Sequence, residues 1–128
     1  MNDATRPGHP AVRRAAVLLA VEGVALAVLG IGFAVATAVG SPTNRGLSFG
    51  VAGFAVATGG VLAGLARAVA RRRGWARSPA VVLQLLAFPV GVGLLQGQVW
   101  LAGVPVLLLA GATLWHLVSA GPAFAPAD

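Results

Sequence analysis

A chain of 128 residues that is 58% hydrophobic and 9% charged, with a mean hydropathy of +0.88, lies far from a soluble domain, where about 25% of residues carry charge. Its net charge of +6 comes from nine basic residues, all arginine, that gather at segment ends rather than along an exposed face, which excludes a phosphate-tracking surface and a nucleic-acid partner. With no cysteine, disulfides and thiolate chemistry are also excluded. What remains is an all-α polytopic membrane protein whose solvent is the lipid bilayer.

Met1 to Val12 holds two prolines, Asp3, Arg6 and His9 without periodicity, and residues 1–14, ending at Arg13 and Arg14, read as a cytoplasmic tail. From about 15 to 39 the chain carries one charge, Glu22, and at about 1.5 Å per residue it spans a hydrocarbon core of about 30 Å with some tilt. A signal peptide would also pair basic residues with an apolar run, but its core is usually about 7 to 15 residues; this run is longer and holds an acid. The first membrane helix is therefore placed here. Gly40 to Arg45, GSPTNR, gathers turn formers and closes a tight connection. A second helix is expected over about 46–70. Ser78 and Pro79 are expected to open a third over 78–97, because proline's missing N–H costs nothing in a first turn. Pro89 sits deeper in it. Gln96, Gly97 and Gln98 break the apolar run before a fourth helix over 99–118, and 121–128 reads as a second cytoplasmic tail. The expected membrane domain is 15–120, four transmembrane helices in two antiparallel hairpins.

The stretch Arg67 to Arg77, RAVARRRGWAR, sets the orientation. Arg67, Arg71, Arg72, Arg73 and Arg77 lie in it, and with Arg6, Arg13 and Arg14 they oppose Arg45 alone on the other side. Positive charge is retained in the cytoplasm, so both termini are expected there, in a multi-pass protein of the cell (inner) membrane. The five arginines of the stretch are expected to contact anionic lipid headgroups. Trp75 and Trp115 are expected at the inner interface and Trp100 at the outer one.

Lipid does not drive helices together by oiliness, so small residues that allow backbones to approach must do much of it. The first helix offers Ala16, Ala20, Gly23, Ala27, Gly30, Ala34 and Ala38, and the second offers Gly46, Gly50, Gly53, Ala57, Gly60, Gly64 and Ala68. Both sets follow steps of four, three, four, three, four and four, the seam spacing of a left-handed pair. The two seams are expected to face each other. Ala80, Gln84, Ala87 and Gly91 form a shorter version on the third helix, and the bulkier, leucine-rich fourth helix is expected to be the most peripheral.

Glu22 is the only acid between Asp3 and Asp128. An intramembrane carboxylate is costly and usually faces a cavity, a partner or a proton path; the plainer reading is a local network that fixes register. Glu22 is eight residues from Arg14 and Gln84 seven from Arg77, so the two lie at similar depth, with Thr113 near the same layer. On a helical wheel Glu22 points away from the small-residue seam, toward the third helix or another molecule. These three residues form the candidate intramembrane polar site. His116 reads as an interfacial histidine, and with His9 in the tail no metal spacing exists. Gly30 with Gly32 and Gly91 with Gly93 lack the third glycine and βαβ unit of a dinucleotide loop. No nucleophile, base and acid set is found, so neither catalysis nor a cofactor is expected.

From Arg73 to Gly91, RGWARSPAVVLQLLAFPVG, and through WLAGVPVLLLAGATL at Trp100 to Leu114, the chain resembles uncharacterised small four-helix membrane proteins of high-GC Gram-positive bacteria. That resemblance implies an inner-membrane location and transfers no activity. A looser similarity is to the small multidrug transporters, with four helices and one glutamate in the first; this chain lacks their aromatic-lined third helix. The function expected is that of an accessory or interaction subunit, in a homo-oligomer or a larger membrane complex, acting through helix packing. The alternative is a small proton-coupled transporter using Glu22.

Overall fold

The structure is a computed structural model that describes residues 10–98 and 100–124. Four helices follow one another: α1 Pro10–Val39, α2 Arg45–Ala70, α3 Gly74–Gln96 and α4 Trp100–Ser119, with a short 3-10 turn at Gly121–Phe124. Each of the four is long and apolar enough to cross a membrane. Asp3, Arg6 and His9 of the expected tail lie outside the described residues, as do Val99 at the expected start of the fourth helix and the chain from 125.

Two helix starts differ from expectation. Helix α1 begins at Pro10, five residues before the predicted boundary at 15. Proline is tolerated in a first turn, and the early turns bury Val12, Ala15 and Leu19 against the other helices. The arginine pair thus lies on the exposed side of a helix that packing extends ahead of the uncharged run. Helix α3 begins at Gly74 rather than Ser78, which puts Pro79 inside it. The cause is the tight turn before it: Arg73 N–H bonds the Ala68 carbonyl at 3.0 Å and Arg72 N–H the Val69 carbonyl at 2.9 Å. This pair of bonds is the glycine-type helix stop, with the left-handed position taken by Arg72 at φ 54°. The chain then re-enters a helix within two residues. Gln98, at φ 61°, follows α3 with its N–H bonding the Leu95 carbonyl at 3.0 Å, so the left-handed residue is Gln98 and not the adjoining Gly97.

At the α1 to α2 connection Asn44 caps α2 by accepting from Leu47 N–H at 2.9 Å. The Arg45 guanidinium donates to the Gly40 carbonyl at 3.0 Å. The predicted turn formers therefore supply both the stop and the next start.

Helix α1 packs along α2, α3 packs along α4, and α4 also packs on α1, while α2 and α3 barely touch. The lateral order is α2, α1, α4, α3. This overturns the expectation that α4 is peripheral. Its bulk misleads: Leu101 and Leu108 face outward, while Gly103, Ala110, Thr113 and Leu117 form a narrow buried seam. All four helices meet at the arginine-rich end, where Leu19, Leu65, Val69, Ala76 and Leu117 share one core.

The seam of α1 lies where expected through Gly30, with Ala16, Gly23 and Gly30 buried, but at its end Thr37 is buried and the expected Ala38 is exposed. The seam of α2 does not. A Cβ on Gly59 would sit 2.5 Å from the Gly23 carbonyl oxygen and 2.8 Å from the Ala27 nitrogen, and one on Gly30 would meet the Ala52 carbonyl at 2.9 Å. Positions rising along α1 therefore meet positions falling along α2. The face of α2 in contact runs through Ala52, Val56, Gly59 and Ala63, one residue earlier than the predicted set and so about 100° around the helix. Gly50, Gly53, Gly60 and Gly64 have open space where their side chains would be. The reason is larger neighbours: this rotation turns Leu62, Leu65 and Val69 into the common core, which a seam centred on Gly60 would not do.

Candidate functional site

The polar site is assembled by three helices. Glu22 is half-buried on α1, off the seam that meets α2. Gln84 is 2% exposed on α3 and Thr113 is fully buried on α4. Gln84 Nε2 donates to Glu22 Oε2 at 2.6 Å, and Thr113 Oγ1 donates to Glu22 Oε1 at 3.3 Å. Each carboxylate oxygen thus has one donor, and the three residues predicted to share a depth are in contact. The short distance to the amide marks it as the principal bond; the hydroxyl bond is at the long limit of the range.

The local sequence makes this meeting workable. Ala80, Gln84 and Gly91 are buried on one face of α3, so the amide is carried on a helix face that can approach closely. Gly91 and Gly103 admit the side chains of Leu107 and Leu95 across the α3 to α4 contact, at 2.7 and 2.8 Å from where a Cβ would stand. Ala110 and Thr113 lie next to one another on the buried face of α4.

The electrostatics are unusual in one respect. Both donors to Glu22 are neutral, and among the described residues no arginine pairs with it. Arg14, eight residues before it, is exposed, and Arg77 is engaged elsewhere, donating through Nε to the Leu117 carbonyl at 3.3 Å near the end of α4. That bond satisfies a carbonyl of the last helical turn, where a cation is favoured. Gln84 Oε1 is buried with no hydrogen-bond partner among the described residues. Placing an amide and a carboxylate in a low-dielectric layer makes each unmade bond costly.

The predicted headgroup arginines divide. Arg67, Arg71 and Arg73 are exposed and Arg72 is half-buried. Arg77 is half-buried and tied to α4. Trp75, Trp100 and Trp115 are each well exposed near helix ends. Among the described residues there is no group of histidine, cysteine or acidic side chains that could hold a metal ion. Sequence reading missed the outward glycine face of α2, whose only signal was that the helix carries more small residues than one seam can use. Compared with protein-family models, curated proteins and solved structures, the chain matches none of them.

Proposed function

We propose that this protein threads the cell's inner membrane four times, in two antiparallel hairpins with both termini in the cytoplasm. We propose too that it works by helix association, as an accessory subunit of a larger membrane complex or as a homo-oligomer. The observation that carries this reading is the free face of α2. Gly50, Gly53, Gly60 and Gly64 recur there at helix-seam spacing, and among the described residues no neighbouring atom comes within 4 Å of where a Cβ would stand. Beside it the gap between α2 and α3 leaves an apolar groove of about 560 Å³, bordered by Gly64, Leu65, Trp75 and Val82. Glycine facing lipid weakens a helix by up to about 1 kcal/mol relative to alanine, whereas against another helix it lets backbones approach and gain contact. A transmembrane helix of another chain is the occupant such a face suits.

Cysteine placed at Gly60 should cross-link to a neighbouring chain in native membranes, and cysteine at Val104, on the exposed side of α4, should not. Gly60→Leu should leave the chain folded and shift it to a smaller species in mild detergent. A wild-type chain that is monomeric in both membranes and detergent would remove this reading.

The threading rests on the arginine asymmetry. The chain has no native cysteine, so cysteine introduced at Thr43 should react with an impermeant thiol reagent in whole cells, and cysteine at Gly74 should react only after the cells are opened. The reverse pattern would invert the topology.

A second reading, a small proton-coupled transporter using Glu22, is favoured by the carboxylate's having only neutral hydrogen-bond donors among the described residues. Its discriminating variant is Glu22→Gln, which keeps a hydrogen-bonding side chain and removes the exchangeable proton.

A further inference from the structure

The second groove of the bundle, about 540 Å³, runs between α1 and α2 and differs from the α2 to α3 gap in carrying charge. Arg13, Arg67 and Arg72 line one end of it, and Ala20, Val24 and Ala63 extend it along the helices. Its volume lies within the range of about 300 to 1,000 Å³ usual for ligand clefts. Arg13 and Val24 are eleven residues apart (24 − 13), or about 16 Å along a helix. That is about half of a 30 Å hydrocarbon core, the depth of one leaflet. The arginines come from three separate places: the first turns of α1, the last turn of α2 and the turn after it. Arg72 holds a left-handed backbone that glycine adopts more readily. A soluble anion would use the cationic end alone. The groove, its cationic end included, is about one leaflet long, with Arg67 one helical turn from apolar Ala63, and a charged end that leads into an apolar stretch fits a headgroup with a chain attached.

We propose that this groove binds one anionic phospholipid, its phosphate against Arg13, Arg67 and Arg72 and one acyl chain along Ala20, Val24 and Ala63. The inference rests on the membrane reading above and does not depend on how the chain associates. It also separates two groups of arginines that composition alone treats alike. Arg71 and Arg73 are exposed and do not line the groove.

The test is native mass spectrometry of the whole chain released from micelles of phosphatidylglycerol mixed equally with phosphatidylcholine. The wild type should retain one phosphatidylglycerol in preference to phosphatidylcholine. Arg13→Gln and Arg67→Gln should each lower that preference about fivefold, and Arg72→Gly should do so while suiting the left-handed turn. Arg71→Gln and Arg73→Gln, with the same change of charge, should leave it intact. Glycerol phosphate, a headgroup without chains, should not displace the lipid. Equal retention of the two lipids would overturn the site, and so would an equal loss of preference in the Arg71 and Arg73 variants, which would mark plain surface charge. Displacement by glycerol phosphate would reassign the arginines to a soluble anion. Failure of the membrane reading itself would look different, with no lipid of either class carried and no sidedness of cysteine labelling.

Discussion

Gly59→Ala is expected to destabilise the bundle by about 1–3 kcal/mol, and Gly59→Leu by more, enough to prevent recovery of folded protein. The added Cβ would lie 2.5 Å from the Gly23 carbonyl oxygen and 2.8 Å from the Ala27 nitrogen. Both are backbone atoms of a helix, so neither can turn aside as a flexible side chain would. The helices must separate and lose their close packing. Gly23→Ala should behave alike, since its Cβ would meet the Gly59 oxygen at 2.7 Å and the Ala63 nitrogen at 2.9 Å. Gly60→Ala, one position on, meets nothing within 4 Å and should be neutral or stabilising by up to about 1 kcal/mol through helix propensity. Denaturation in mixed micelles, followed by circular dichroism, measures all of these. Equal tolerance at 59 and 60 would refute the observed rotation of α2.

The second large effect concerns the polar layer. Gln84→Leu removes the 2.6 Å donor and leaves Glu22 with only the 3.3 Å bond from Thr113; an unsatisfied group of this kind costs about 1–3 kcal/mol, and more when it is charged. Glu22→Leu strands the Gln84 amide, already 2% exposed with Oε1 unpartnered, at a similar cost. The double variant Glu22→Leu with Gln84→Leu should be more stable than either single one, because an apolar pair leaves nothing unmet. Thr113 can then bond a carbonyl of its own helix. The coupling energy from the full cycle is expected to be about 1–3 kcal/mol, and additive losses would show that the two side chains do not act together. The same series decides between the readings of Glu22. Proton flux in proteoliposomes that Glu22→Gln abolishes would establish the transporter reading; a silent wild type, with Glu22→Gln folded and assembled as before, would leave Glu22 the part of a register device.

The elements that were legible beforehand are those governed by local chemistry. The connection at Gly40 to Arg45 follows from turn formers and the Asn44 cap. The composition of the polar site was also legible. Glu22, Gln84 and Thr113 are rare polar residues in apolar runs; counting Glu22 from Arg14, Gln84 from Arg77 and Thr113 back from the end of the fourth helix gave them similar levels, and the three are hydrogen-bonded. The start of α3 was not legible, because a left-handed arginine gives no signal that glycine would give.

By itself the sequence determined that there are four apolar helices, where their polar interruptions fall and how far along their helices Glu22, Gln84 and Thr113 stand, since length, charge and period act along one chain. Only the tertiary structure decided which face of α2 meets α1 and that α4 lies between α1 and α3. Two small-residue stripes on one helix have the same period and the same steric permission. The choice between them depends on where Leu62, Leu65 and Val69 can be buried, and the partners that bury them, Leu19 and Leu117, come from distant parts of the chain.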